Sequence, residues 1–353
     1  MRKLATIRKI DKLEPIPGAD RIELAHVGGW KVVVAKDVGH LEGDYVVYCE
    51  VDSFLPIKPE FEFLRKTSYK KLVDGREGFR LKTIRLRGQI SQGLIIPIRD
   101  VKHEFDFGPG STSFFEKIEA LEGQDVSEIL GITKYEPPVP AQLAGTMKGN
   151  FPSFIPKTDE ERIQNLSKEY ETWKNKENKL NFYATEKLDG SSFTCYINDG
   201  EFGVCSRNIE LEKNPDNTFW KVAIELNLEE KLRSIGSNIA LQGELIGEGI
   251  QGNSYNIKGH TVKFFTAFNI NTQERMGYDE FEELVVGFLR LEAVPVLAER
   301  FTLPNTIEHM LLLAEGKSKL LFAKEREGLV MRSRDNKISF KAISNNFLLK
   351  DKS

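Results

Sequence analysis

The stretch Tyr135-Glu136-Pro137-Pro138-Val139-Pro140 limits the fold more than any other. Its prolines fix φ and remove backbone donors, so neither a helix nor a central strand can pass through it. It reads as an extended strap, and 353 residues are enough for a domain on each side. The expected division is a first domain over residues 1–100, a connection over 101–155 and a second domain over 156–353.

Residues 1–100 look all-β. Leu4 to Ile10 is a strand candidate, and Pro15 to Asp20 is turn chemistry. Ile22 to Val27 and Trp30 to Ala35 form a strand pair around Gly28-Gly29. Gly43-Asp44 leads into Tyr45 to Tyr48, and the region closes with Phe79 to Gly88 and Gly93 to Ile98. Short strands punctuated by glycine suggest a small barrel. Between Arg65 and Arg87 nine basic residues face two acids, a local balance of +7 in a chain of net charge -3. Arg80, Lys82, Arg85 and Arg87 interleave with apolar residues there. Such a stretch is either a polyanion contact or a solvated loop.

Past the strap, Phe114 to Leu121 is a short helix candidate in the connection, and a helix is expected from Thr158 to about Glu177. Arg162, Gln164 and Asn165 in its first turns could face a pocket, with solvent the plainer expectation. Strands and helices then alternate irregularly, so the whole chain is expected to be α+β. Helices are expected over Asp279 to Leu289 and Ile307 to Ala314, and a hairpin around Asp335-Asn336. A β-prone run ends in Lys187-Leu188-Asp189-Gly190, which places a lysine and an aspartate beside a tight turn. A lysine that loses its proton can attack phosphorus, and a nearby carboxylate can hold a polyphosphate's metal. So short a pattern also describes an ordinary turn with exposed charges.

The three cysteines lack metal-ligand spacing and cannot all pair, which fits a reducing cytoplasm. The five histidines are scattered, so neither a zinc site nor a histidine triad is expected. The first residues lack the apolar run of a signal peptide, and no apolar stretch is long enough for a membrane span.

Six motifs recur in order over about 155 residues: Lys187-Leu188-Asp189-Gly190, Ser206-Arg207-Asn208, Gly243-Glu244-Leu245, Phe265-Thr266-Ala267-Phe268-Asn269-Ile270, Glu327-Gly328-Leu329-Val330-Met331 and Ser339-Phe340-Lys341. Together they resemble the covalent nucleotidyltransferases, the ATP-dependent ligases and RNA capping enzymes. Pro17-Gly18-Ala19-Asp20-Arg21-Ile22 and Leu86 to Leu94 resemble the OB-fold tRNA-binding modules of aminoacyl-tRNA synthetases. Thr133 to Pro138 and Pro156 to Asn165 are similar to the ATP-dependent RNA ligases with an amino-terminal OB domain.

That resemblance implies an OB-like barrel followed by an α+β, ATP-grasp-like nucleotidyltransferase domain. It implies ATP as substrate, Mg²⁺ or Mn²⁺, and RNA as partner, in a protein expected to be monomeric and cytoplasmic. Lys187 would attack the α-phosphorus of ATP. AMP would pass to an RNA 5′-phosphate, which a 3′-hydroxyl would then attack. Glu186 would meet the adenine edge, and Phe268 offers a ring to stack on it. Asp189 and Glu327 suit a metal through its waters. Glu244 would hold the ribose or join the metal shell. Arg207 and Lys341 would hold phosphate oxygens, and Arg80, Lys82, Arg85 and Arg87 would meet RNA.

The sequence departs from the pattern at Ser339, where many relatives have lysine, and at Asn269, where some have aspartate. A two-residue loop at Asp335-Asn336 would pair Val330 with Lys341 and turn Glu327 to the other face. A longer or bulged connection is therefore expected, so that both charges reach one ATP. Capping guanylyltransferases and DNA ligases are the near alternatives. Both usually carry an OB domain after the last motif, and twelve residues follow Lys341 here. A non-catalytic RNA-binding protein is the alternative from another class; the intact Lys187, Asp189, Glu244 and Glu327 argue against it.

Overall fold

The computed structural model describes residues 3–72, 74–105, 118–136, 146–175 and 181–350. The proline run at 137–140 lies outside the described residues, as does the first half of the helix candidate at 114–121. The chain forms two compact units, one of Met1–Pro138 with Gln164–Ser167, the other of Val139–Ile163 with Lys168–Ser353.

In the first unit, β1 (Ala5–Lys9), β5 (Tyr45–Cys49) and β11 (Leu94–Pro97) form one sheet, in the order β1-β5-β11. A second contains β2 (Lys12–Pro15), β3 (Ile22–Val27) and β4 (Trp30–Ala35). A third contains β6 (Ser53–Pro56), β7 (Tyr69–Lys71), β8 (Glu77–Arg80) and β12 (Thr133–Lys134). The alternate residues Val32 and Val34 of β4 and Val46 and Tyr48 of β5 are buried with Trp30, as period-2 patterning requires. The expected connection is in part core: Ile118, Val126, Leu130 and Ile132 pack with Ile7, Val47 and Phe79. Asn165 accepts a hydrogen bond from Trp30 Nε1 at 2.7 Å, and Gln164 is buried, so solvent is not where these two point.

The run Phe79 to Gly88 is not one strand. β8 ends at Arg80, and β9 (Thr83–Leu86) pairs instead with β10 (Gln89–Gln92). Arg87 and Gly88 turn this hairpin with φ of 46° and 83°. Two successive left-handed residues match the right-handed twist of the strands they join. Ile84 and Leu86 remain exposed on it.

The second unit is built on two sheets. A seven-stranded sheet runs β13 (Met147–Asn150), β17 (Ile209–Leu211), β16 (Glu201–Cys205), β15 (Ser191–Asn198), β18 (Ile239–Gly247), β19 (His260–Asn269) and β20 (Glu274–Arg275). Phe193, Cys195, Leu241 and Phe264 on one face pack under the helices Thr218–Glu225 and Leu228–Arg233. A four-stranded sheet runs β21 (Val296–Phe301), β14 (Phe182–Lys187), β22 (Gly328–Ser333) and β23 (Ser339–Ile343).

Three expectations need correction here. The helix from Thr158 starts later, at Ser167, and is described as far as Asn175. The segment before it is tied down without α-helix, with Lys341 N–H donating to Glu161 O at 2.8 Å and a 3-10 helix over Ile163–Asn165. The Asp279 to Leu289 helix begins at Tyr278 and widens into a π-helix over Glu282–Phe288. The final hairpin is neither bulged nor odd. Val330 faces Lys341, the register of a two-residue turn, and the chain reverses between Ser333 and Ile338.

Candidate active site

The site grows from the end of β14. Lys187 is opposite Gly328 on β22, and Lys341 is opposite Val330. Alternation puts Lys187, Val330 and Lys341 on one face. Glu327 lies just ahead of β22, outside the ladder, so strand parity does not govern it. Its Oε1 is 2.8 Å from Lys187 Nζ.

After Lys187 the chain turns through Leu188-Asp189-Gly190 into β15. A Cβ on Gly190 would lie 2.5 Å from Leu245 O and 2.8 Å from Glu244 Cγ, so only glycine fits. The Gly190 N–H donates to Glu244 Oε1 at 3.1 Å. The Asp189 N–H donates to the Tyr255 hydroxyl at 2.8 Å, and Ser254 Oγ–H donates to Asp189 Oδ2 at 3.2 Å. Lys324 Nζ is 3.7 Å from that same oxygen.

Burial opposes the charge on Lys187, but Glu327, Glu244 and Asp189 outweigh it and hold its pKa above the usual lysine range. Burial pushes Glu244 up to about 7, against the pull of Lys187 and helped by Glu327. Burial raises Glu327 as well, again opposed by Lys187. Three carboxylates thus crowd one ammonium. Oxygen donors in excess of the local positive charge fit a hard divalent cation.

Glu186 is buried. Its Oε2 accepts the Lys319 N–H at 2.7 Å, while its Oε1 is buried with no hydrogen-bond partner among the described residues. A buried carboxylate oxygen left this way is costly unless a donor arrives. Arg207 and Lys341 meet on one carboxylate, with Arg207 Nη2 at 2.9 Å from Asp159 Oδ2 and Lys341 Nζ at 3.2 Å from Asp159 Oδ1.

Phe268 is not with this group. It is buried with Ile155, Tyr196, Cys205, Ala240 and Ile270. A register shift between Gln242 and Gly243 leaves Phe265 outside the ladder of β18 and β19. Phe265 packs instead with Ile246, Tyr255 and Leu188, the last beside Lys187 in the chain. Arg162 is buried, and its backbone bridges to Lys341. Sequence reasoning missed Asp159, Ser254, Tyr255, Lys319 and Lys324. Glycine spacing in Gly247 to Gly259 was the one signal for Ser254 and Tyr255.

In the first unit, Arg85 and Arg87 are exposed on the β9–β10 hairpin and Lys82 is half-buried before it. Arg80 is not part of that surface. It is buried, with its guanidinium 4.1 Å from the Tyr135 ring centre and 3.5 Å from Asp52. The three cysteines are free and buried. No helix among the described residues is long and apolar enough to cross a membrane.

A strand-end lysine among carboxylates, with Lys341 on the same sheet face and Arg207 meeting it on Asp159, is the layout of a covalent nucleotidyltransferase. An OB-fold domain model matches residues 4–98, and the RNA ligase family model matches residues 180–347. A Naegleria gruberi RNA ligase structure with pyrophosphate is 42% identical, with a TM-score of 0.88, and the match covers 100% of this chain and 99% of that one. A variant of the same ligase with ATP and Mn is 41% identical over 100% of both chains, again with a TM-score of 0.88. No curated protein matches the chain. The chain belongs to the RNA ligase family.

Proposed function

We propose that this RNA ligase joins a 3′-hydroxyl to a 5′-phosphate with ATP and a divalent cation, and that Lys187 carries the adenylate. The observation that carries this reading is Lys187 Nζ at 2.8 Å from Glu327, in a cluster with Asp189 and Glu244. Lys187 attacks the α-phosphorus, the bond to pyrophosphate breaks, and the amine sheds a proton. An oxygen of the RNA 5′-phosphate then displaces Lys187 from that phosphorus. Last, the RNA 3′-hydroxyl attacks the 5′-phosphorus and AMP leaves.

Lys187 must be neutral to attack, and its carboxylate neighbours oppose that. A divalent cation held by Asp189 and Glu327, with Glu244 on it or on the ribose, supplies the charge that cancels theirs. Arg207 and Lys341 exchange Asp159 for phosphate oxygens, where fixed cations stabilise developing charge. The unpartnered Glu186 Oε1 suits the amino group of adenine, a donor that guanine lacks at that position. The stacking ring is Phe265 rather than Phe268. Lys82, Arg85 and Arg87 follow the RNA backbone from the first unit. The buried, reduced thiols suit a cytoplasmic protein.

The test is labelling with α-labelled nucleotide and a divalent cation. ATP should label the protein, the bond should be acid-labile and alkali-stable, and Lys187→Ala should take no label. Wild-type labelling of that variant would remove Lys187 from the reaction. Labelling by GTP instead of ATP would favour a capping guanylyltransferase.

A further inference from the structure

We propose that Phe322 is a stacking platform for a nucleobase at the RNA end being joined, an inference that rests on the RNA-ligase reading above. Phe322 is 81% exposed, the most of the large exposed apolar residues described. Its neighbours explain why that exposure is not looseness. Ser318 N–H donates to Lys324 O at 2.8 Å, Lys324 N–H to Leu321 O at 2.9 Å and Arg326 N–H to Gly316 O at 2.9 Å. Lys317 Nζ is 2.6 Å from Glu325. The Arg326 guanidinium donates to the carbonyls of Leu313, Ala314 and Glu315, which close the helix Ile307–Ala314. Leu320 packs with Leu188, Ile246 and Tyr255. The loop is fastened at both ends and along its length, and it still holds an aromatic ring out in water.

The same loop enters the active site twice. Lys319 gives its N–H to Glu186 at 2.7 Å, and Lys324 Nζ is 3.7 Å from Asp189. Phe322 is two residues from Lys324, so their Cα atoms are at most about 8 Å apart. Between Gly316 and Arg326 the loop carries Lys317, Lys319, Lys324 and Arg326 against Glu325 alone. A fixed ring in a basic loop, beside the reacting lysine, fits a base attached to a phosphate chain. An apolar protein partner would not call for that charge.

The test uses the full-length Phe322→Ala protein, pre-adenylylated, sealing 5′-phosphate RNA. Base stacking on aromatic side chains predicts a loss of about 5- to 150-fold in kcat/KM for RNA. Phe322→Trp should restore it. Adenylylation by ATP should proceed at the wild-type rate. The salt dependence of RNA binding should keep its slope, because no phosphate contact is lost. On substrates lacking the terminal base on the 3′-hydroxyl side or on the 5′-phosphate side, the loss should vanish with one of the two. Equal sealing by variant and wild type would overturn the proposal. So would a loss that persists on both abasic substrates, or a matching loss of adenylylation, which would assign the ring to ATP. If the wild-type protein seals no RNA at all, the ligase reading itself fails.

Discussion

Ser339→Ala should weaken the second unit far more than it slows adenylylation. Ser339 stands where many relatives carry a phosphate-binding lysine, yet its hydroxyl donates to Glu160 Oε2. The other oxygen of Glu160 accepts from Arg332 Nη2 at 2.8 Å. Both charges are buried, with side chains 10% and 3% exposed, and the Arg332 guanidinium lies 5.3 Å from the Phe265 ring centre. The serine therefore completes a buried ion pair beneath the site.

A hydrogen bond to a charged acceptor contributes about 1.5–3 kcal/mol, so Ser339→Ala should cost an amount of that order. Arg332→Met should cost more, about 3–5 kcal/mol, because it strands the Glu160 carboxylate in the interior. Burial disfavours the Glu160 charge, but Arg332 and Ser339 outweigh it and hold its pKa below the usual carboxylate range. With the folded pKa depressed, the stabilisation is complete above the unfolded pKa and is lost as pH falls through the folded one. The gap between wild type and Arg332→Met should therefore close in acid. Urea unfolding followed by tryptophan emission reads this directly. Trp173 stacks on Phe340, next to Ser339, with centroids 5.6 Å apart and planes 10° apart. An unchanged midpoint for Ser339→Ala, joined to an adenylylation loss as severe as that of Lys341→Ala, would refute the reasoning and return Ser339 to the phosphate.

Asp159→Asn should tighten ATP binding, by up to about 5-fold given that the carboxylate is 34% exposed and its pairs are partly screened; weaker ATP binding in a titration would mean that Asp159 positions Arg207 and Lys341 instead of occupying them. The rate of adenylylation should rise with pH through neutrality, since Glu244, pushed up to about 7, must lose its proton to accept a cation or a ribose hydroxyl. Raising Mn²⁺ should move that rise to lower pH, and a profile indifferent to metal concentration would separate the titration from the metal.

Lys187 and Asp189 were legible because they sit where a strand ends, and strand ends are marked by glycine and by a break in alternation. Glu244, inside β18, and Glu327 were named from the resemblance of their motifs. Phe265 was not, because the choice between Phe265 and Phe268 depends on a register shift that no alternation in the sequence announces. The parity argument for the last hairpin failed for a related reason. It treated Glu327 as part of a ladder that begins only at Gly328. Charge counting grouped Arg80 with Arg85 and Arg87, but a guanidinium can stack on a ring inside the fold, and Tyr135 is far away in sequence. Asp159 and Glu160 fall where the sequence is expected to begin a helix. In the fold they are partners for Arg207, Lys341 and Arg332, and those pairings are invisible until β22 and β23 are placed.

The ion pairs at the site share one logic. Lys187 is neutralised by carboxylates, and Arg207 and Lys341 are neutralised by Asp159. Each charged group proposed to meet the phosphates or the metal already has a partner of the sign that they would bring. On the proposed reading, a divalent cation would take the place of the Lys187 ammonium on Glu327 and of Lys324 on Asp189, and phosphate oxygens would take the place of Asp159 on Arg207 and Lys341. Binding then exchanges partners and does not bury bare charges, which avoids the several kcal/mol that desolvating an uncompensated ion costs. The same exchange would free the lysine amine. With the charge of Glu327, Glu244 and Asp189 taken up by a bound cation, the burial that disfavours the ammonium would no longer be opposed. The carboxylates that favour the protonated form of the proposed nucleophile would thus release it once a divalent cation took their charge.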